Sequence, residues 1–209
     1  MSLLGWAGMA APTHPEDDHG NEHGHVRIRD LGVVEAHQRI DELTAILRDS
    51  VEGGASMNFL AHVSDEQLGD FWRASIAEQE RGGRVLLVAE VDARIVGTAM
   101  LILAPQQNAP HRAEVAKMIV HRSIRRRRLG ARLLEAIEAT ALASGRTLLL
   151  LDTETDSAGE RLYAACGWTR FGIVPDHSHQ PDGTPKPTSC FYKQLTGAAQ
   201  EDPPGRLAP

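Results

Sequence analysis

The sequence predicts one α/β (α+β) domain, a mixed sheet with helices on its faces. Three observations point there. Runs dense in Val, Ile and Leu alternate with segments whose apolar residues recur every three or four positions; two such runs are joined closely enough to form an antiparallel hairpin; and one all-apolar run has the character of a strand covered on both faces. A chain of 209 residues is long enough for one well-buried core plus tails.

Val26–Arg29 reads as a short strand. Val33–Arg48 carries Val33, Ala36, Ile40, Leu43 and Leu47 on one helical face. A loop from Val51 to Leu60 holds Gly53-Gly54 and Met57-Asn58-Phe59. Ser64 followed by Gln67 predicts a capping box opening a second helix that runs to about Glu80 and buries Leu68, Phe71, Trp72 and Ile76. Arg84–Val91 and Arg94–Leu103, turned at Asp92-Ala93, form the hairpin, and Ala113–His121 is the next strand. Leu129, Leu133, Leu134, Ile137 and Leu142 mark a helix stopped by Gly145, and Thr147–Leu151 is the all-apolar strand. A short helix over Ser157–Ala165 ends at Gly167, and Trp168–Val174 and Ser189–Leu195 are strands flanking a Pro-rich loop. The order is β-α-α-β-β-β-α-β-α-β-β.

Composition narrows the function. Residues 1–25 are rich in Gly, Pro, Asp, Glu and His and are expected to be a disordered tail; 26–196 is the domain, and 197–209 a second tail. His14, His19, His23 and His25 fit no standard metal motif, and Cys166 and Cys190 lack paired spacing, so no metal site or disulfide framework is expected. A net charge of −6 argues against a nucleic-acid partner. Leu3-Leu4-Gly5-Trp6 lacks the basic flank and length of a signal or membrane segment, so no membrane partner and a cytoplasmic location are expected. Neither a Walker loop nor a Gly-x-Gly-x-x-Gly fingerprint is present.

Four adjacent arginines in an acidic protein call for a local anion. The apolar run Val115–Val120, the cluster Arg125–Arg128 and a helix opening at Leu129-Gly130 place a strand, a basic turn and a helix N-terminus in succession. Backbone N–H groups, the positive helix end and guanidinium groups together make a socket for a phosphorylated cofactor. Taken alone the arginine run is a weak signal, with a solvated charged face or a localisation signal as the alternative account.

The element order, with Val115–Val120, Arg125-Arg126-Arg127-Arg128-Leu129-Gly130, Leu133-Leu134 and Arg161-Leu162-Tyr163-Ala164-Ala165-Cys166-Gly167-Trp168, resembles the GNAT superfamily of acetyl-coenzyme A dependent N-acetyltransferases over about residues 26–195. Gly53-Gly54-Ala55-Ser56, Glu114-Val115-Ala116-Lys117, Leu151-Asp152-Thr153 and Phe171-Gly172-Ile173-Val174-Pro175 look most like the tabtoxin-resistance-type acetyltransferases. The resemblance implies a mostly antiparallel sheet of about seven strands with helices on both faces. Two positions depart from the family pattern. Arg128 stands where the phosphate turn usually has its first glycine, a strained choice if that site needs a positive φ. Asp156 stands where many members have an asparagine that contacts the cofactor.

The resemblance implies acetyl-CoA as cofactor, its pyrophosphate held by Arg125, Arg126, Arg127, Arg128, Leu129, Gly130 and Ala131, with Asp156 and Gly159 as further contacts. In the family the strand matching Ala113–His121 splays from its neighbour, so the backbone of Met118 and Val120 is free to pair with pantetheine amides. Ile119 or Val120 is expected to donate to the carbonyl oxygen as it gains charge. A substrate amine with a pKa near ~10 must lose a proton before attack. Asp152, facing the cleft in the family reading, is the first candidate base, with a turn or helix-capping carboxylate as the alternative account; Glu114 is the second. Tyr163 is the candidate acid for the departing thiolate. Cys190 is a poor nucleophile, since nothing near it in sequence would activate it.

Acceptor choice is expected in the Val51–Leu60 loop, the second helix and the His177–Thr188 loop. Phe59, Trp72, His177 and His179 are candidate lining residues, though for each one alone core packing or solvent exposure is the simpler account. The expected activity is acetylation of a small-molecule amine by direct attack, of the antibiotic- or toxin-resistance type. Acetylation of a protein N-terminus or lysine, and a non-catalytic acyl-CoA sensor, are the alternatives. The exposed final strand could pair with a second copy as a homodimer.

Overall fold

The computed structural model describes residues 26–55, 57–125 and 128–196. The expected tails, 1–25 and 197–209, lie outside the described residues, as do Ser56, Arg126 and Arg127. In chain order the elements are β1 (Arg27–Asp30), α1 (Val33–Gln38), α2 (Ile40–Glu52), α3 (Asp65–Glu80), β2 (Arg84–Val91), β3 (Arg94–Leu103), β4 (Arg112–Val120), a 3-10 turn (Arg122–Ile124), α4 (Leu129–Ala143), β5 (Leu148–Glu154), α5 (Ala158–Ala165), β6 (Thr169–His179) and β7 (Pro185–Gln194). The strands form one seven-stranded sheet in the order β1-β2-β3-β4-β5-β7-β6. Each neighbouring pair is antiparallel except β4 with β5. The fold expected from the sequence is the one observed.

Several local signals act as their chemistry predicts. Ser64 and Gln67 form both bonds of the capping box, at 3.2 and 2.9 Å. Asp92 and Ala93 both take positive φ, 50° and 63°, the backbone that a two-residue hairpin turn requires to match strand twist.

Three expectations are corrected. The helix expected over Val33–Arg48 is two helices that break at Arg39 (φ −110°, ψ 20°), and the second runs on to Glu52. The Arg39 guanidinium is drawn instead to Glu42, Glu90 and the carbonyl of Ala93, a set of bonds that apolar periodicity does not register. Second, the Pro-rich loop is largely strand: β6 and β7 extend to His179 and Pro185 and are joined by a short turn. Prolines fit because β6 is an edge strand and register breaks occur between Val174 and Ser178. Third, Thr147–Leu151 is not covered evenly on both faces. In β5, Leu149 and Leu151 are buried, whereas Leu148 and Leu150 are half-buried and Asp152 is exposed.

The unequal cover of β5 follows from how the helices divide. One apolar cluster joins α4 and α5 to the sheet through Leu129, Leu133, Leu134, Ile137, Leu149, Leu151, Tyr163 and Phe191. The other joins α1, α2 and α3 to the opposite face through Leu43, Leu47, Leu68, Trp72 and Ile76, packed on Leu86, Val88, Met100 and Ile119 of β2, β3 and β4. That second cluster takes no residue from β5, β6 or β7. The sheet face over β5 and β7 is therefore open beside the edge of α3. At the far edge, β6 exposes Phe171, Ile173 and Val174.

Candidate active site

The site begins where β4 leaves β5. The two strands are in register only from Arg112 to Glu114 against Leu148 to Leu150, after which β4 continues with β3 alone. The β3–β4 register shifts between Thr98 and Met100, and Lys117 sits in that bulge with φ 49°. Such a bulge bends its strand and re-aims a side chain. It is fastened by the Thr98 hydroxyl, which donates to the Lys117 carbonyl at 2.8 Å. Beyond it, the His121 N–H donates to Val96 across the ladder at 2.9 Å. Antiparallel alternation then turns the Val120 backbone away from β3, toward the gap, and the Ile119 backbone toward β3. Of the two candidate donors, Val120 has its N–H on the open side.

The turn that follows is anchored from below. Asp49 of α2, 8% exposed, accepts from the Arg122 backbone N–H at 3.0 Å and from its Nε at 2.7 Å. The Arg125 side chain donates back to the Val120 carbonyl at 3.2 Å. Arg128 is the N-cap of α4 with φ 58° and ψ 10°, so the position where a glycine was expected does adopt the left-handed backbone. Leu129 is buried in the core and offers only its backbone to the turn. Gly130 lets α4 close on α5, because a Cβ there would lie 3.0 Å from Leu162. Gly159 does the same for α5 on β5: its Cβ would fall 2.9 Å from the Thr153 hydroxyl and 3.5 Å from the Tyr163 ring. Asp156 has φ 63°, its N–H bonded to Glu160 and its carbonyl to Arg161. A bent strand with a free N–H, a left-handed turn and a 15-residue helix opening on that turn suit the extended arm and diphosphate of coenzyme A.

The two candidate bases share one sheet face at this opening, and the candidate acid lies in the cluster behind β5. Arg84, Ile102, Glu114 and Leu150 are register partners in turn across β2, β3, β4 and β5, so they share one face, and Asp152, two residues past Leu150, shares it too. This is the face that α1, α2 and α3 leave open near β5. Asp152 lies inside β5, opposite Cys190 of β7, rather than in a turn or cap; the α5 cap is Ser157. Burial, then the nearby Asp152 charge, pushes the Glu114 carboxyl above the usual carboxylate range. Its side chain reaches solvent, yet desolvation is still the larger of these two causes. Tyr163 is buried against Trp168 and Phe191, with ring centroids 6.1 Å from each. Burial, then Asp152, holds its phenol well above the ordinary tyrosine range, fully protonated at neutral pH.

The acceptor-side expectations divide. Phe59 stacks edge-on against Phe71 at 5.8 Å and borders the opening. Trp72 is wholly buried in the core, and His177 and His179 are exposed on β6. The hairpin tip does reach the α2–α3 loop, where the Ala61 N–H donates to the Pro181 carbonyl at 2.8 Å.

Three residues were missed. Lys117, half-buried, donates from Nζ to the Met57 carbonyl at 3.2 Å and lies 4.8 Å from the centre of the Phe71 ring. Burial draws its ammonium below the usual lysine range. The signal was a lone charge in an apolar run. Arg84, at the start of β2, donates to Ser75 at 2.8 Å, and Asp49 fastens the turn; nothing in their local sequence distinguished either from a surface charge.

The chain belongs to the Acetyltransferase (GNAT) family, whose model matches residues 47–168. It is an N-acetyltransferase, and its acetyl donor is acetyl-CoA. Among similar solved structures, an N-acetyltransferase from Staphylococcus aureus Mu50 superposes with a TM-score of 0.68 at 15% identity, covering 82% of this chain and 99% of that one. The protein yncA from Salmonella typhimurium, solved with its cofactor acetyl-CoA, gives 0.67 at 20% identity over 85% and 98%. An aminoglycoside 6'-acetyltransferase type Ii gives 0.60 at 20% identity over 83% and 99%.

The left-handed Arg128 yields a direct test. A non-glycine residue in this conformation costs about 1 kcal/mol, so Arg128→Gly should raise unfolding stability by about that amount in urea titration, despite removing a side chain.

Proposed function

We propose that the protein acetylates the primary amine of a small molecule by direct attack, without an acyl-enzyme. The observation that carries this reading is the placement of two carboxylates, Glu114 and Asp152, on an open sheet face at the parting of β4 and β5, with the Tyr163 phenol behind β5. Acetyl-CoA supplies an activated acetyl thioester. Arg125, Arg128, Ala131 and the backbone of Leu129 and Gly130 would receive its diphosphate, with Arg126 and Arg127 adjacent to them in the sequence, and Asp156 and Gly159 would border that site. Met118 and Val120 offer backbone to the pantetheine arm, and the Val120 N–H is the donor available to the carbonyl oxygen.

In the transfer a nitrogen–carbon bond forms and a carbon–sulfur bond breaks. The amine proton passes to Glu114 or Asp152, directly or through water, and the thiolate takes the phenol proton of Tyr163. A carboxyl with a raised pKa accepts a proton more readily at neutral pH. Burial pushes the Cys190 thiol up, away from the thiolate a nucleophile needs, which agrees with direct attack.

The contact between Ala61 and Pro181 narrows the acceptor side, and this favours a small molecule over a peptide groove. The motifs shared with tabtoxin-resistance-type enzymes support a toxin- or antibiotic-inactivating role. The final strand β7 lies between β5 and β6 and has no free edge, so the pairing expected of it falls to the edge strand β6, whose exposed apolar residues suit antiparallel pairing with a second copy, and we propose a homodimer through it.

Four outcomes test these readings. In a thiol-release assay, Tyr163→Phe should lower kcat about 100-fold while acetyl-CoA binding by calorimetry is unchanged; an unaltered kcat would remove the phenol from the chemistry and leave the sensor reading. The base must be deprotonated and the phenol protonated, so the acid limb of the kcat–pH profile should lie above the reference ~4.3 of a free Glu, and no basic limb from Tyr163 should fall below its reference ~10. Asp152→Asn separates the two bases: with Glu114 as the base the acid limb moves to lower pH, because the neighbouring charge that raises Glu114 is gone, and with Asp152 as the base kcat collapses. Finally, Phe171→Glu should convert the dimer to monomer in sedimentation velocity.

A further inference from the structure

Four charged side chains on the acceptor side have no ion-pair partner among the described residues: Arg84, Glu114, Lys117 and Asp152. They come from three different strands, and the register places Arg84, Glu114 and Asp152 on one face. Lys117 reaches the same side, as its contacts with Met57 and Phe71 show. It has three N–H donors and one protein hydrogen bond, to Met57, with a neutral ring as its other close neighbour. Arg84 bonds only Ser75 and the Met100 sulfur. Surface residues could leave charges unpaired at little expense, but a half-buried ammonium that feels Asp152 and Glu114 only across a gap, with no carboxylate in bonding contact, is costly.

We propose that the acceptor is a free amino acid, with its amine at Glu114 and Asp152 and its carboxylate at Lys117, where Arg84 adds positive potential. This rests on the small-molecule reading above and narrows it. Two positive and two negative groups without partners match a zwitterion. A simple alkyl amine draws on the Glu114 and Asp152 charges that Lys117 feels and brings no carboxylate in return, and a polyamine or other polycation sets further positive charge against it. An acceptor carboxylate supplies what Lys117 lacks and favours its charged form. Met57, Phe59 and Phe71 give the side chain of the acceptor an apolar wall. The reach of Lys117 depends on the bulge, whose left-handed backbone turns the side chain toward α3.

The test is a thiol-release assay of the full chain with acetyl-CoA against the twenty genetically encoded L-amino acids, β-alanine, γ-aminobutyrate and 5-aminovalerate, each beside its decarboxylated amine. At least one amino acid should exceed its matched amine in kcat/KM by about 10- to 100-fold, the range of one charge-assisted hydrogen bond. Lys117→Met should reduce kcat/KM for that amino acid about 10-fold more than for the matched amine, chiefly through KM, and Lys117→Arg should restore part of the difference. Calorimetry with acetyl-CoA checks that each variant is folded. Amines acetylated as well as or better than their amino acids, or an equal loss on both in Lys117→Met, would overturn the amino-acid acceptor while leaving small-molecule acetylation in place. The wild-type comparison decides this even if a variant does not fold. Turnover of no small amine or amino acid would overturn both readings.

Discussion

The structure depends most on the short parallel contact between β4 and β5. Three register pairs hold the two halves of the sheet together, and past Glu114 and Leu150 the strands part. A longer ladder would leave no unpaired backbone to receive an extended ligand; a shorter one would loosen the sheet. The bulge at Lys117 belongs to the same arrangement, since it bends β4 along β3 just after β5 is released. Gly97 opposite the bend allows this close approach: a Cβ there would lie 2.9 Å from Leu133 and 3.0 Å from the Ile119 carbonyl. The parting therefore sets both the free N–H of Val120 and the direction of Lys117.

Backbone strain gathers around the same opening. Met57 and Asn58 in the α2–α3 loop, Lys117 in the bulge, Arg128 at the α4 cap and Asp156 before α5 all have positive φ without being glycine. At about 1 kcal/mol each, such conformations persist only where neighbours hold them. Here the holders are identifiable for several: Thr98 bonds the Lys117 carbonyl, Lys117 bonds Met57, and Glu160 and Arg161 bond the two sides of Asp156. Asp49 steadies the turn that leads toward Arg128. Strained residues at a site, each tied by a specific bond, are the pattern of a preorganised binding surface.

Much of this could be read in the sequence, and the boundary is physical. Periodicity recovered the strands, the capping box recovered the start of α3, and the basic turn before Leu129 carried the family resemblance. What could not be read were features made by distant partners. The break at Arg39 comes from Glu90 and Ala93, more than fifty residues away in sequence. The length of β6 and β7 comes from their pairing, which overrides the prolines between them. Tyr163, Asp152 and Glu114 were legible because the family motif and an apolar strand frame them. Lys117 and Arg84 were not, because their significance lies in the sheet face they share with Glu114.

The sheet also contains an internal control for the cleft's electrostatics. At the β1–β2 edge, Glu90 is as deeply placed as any carboxylate in the fold, 7% exposed, but Arg29 bonds it at 2.8 Å and Arg39 bonds it as well. Glu35 and Glu42 complete the network, and the hydrogen bonds from Arg29 hold Glu90 below the usual range. A carboxylate saturated in this way stays ionised and is a poor proton acceptor. Glu114 has the opposite environment: no guanidinium within bonding distance among the described residues, partial burial, and a second carboxylate nearby. The contrast arises from partners rather than residue type, since both are glutamates on interior strands of one sheet. Structural acids here are those whose oxygens are filled by arginine, whereas those at the opening keep their lone pairs for a proton from outside.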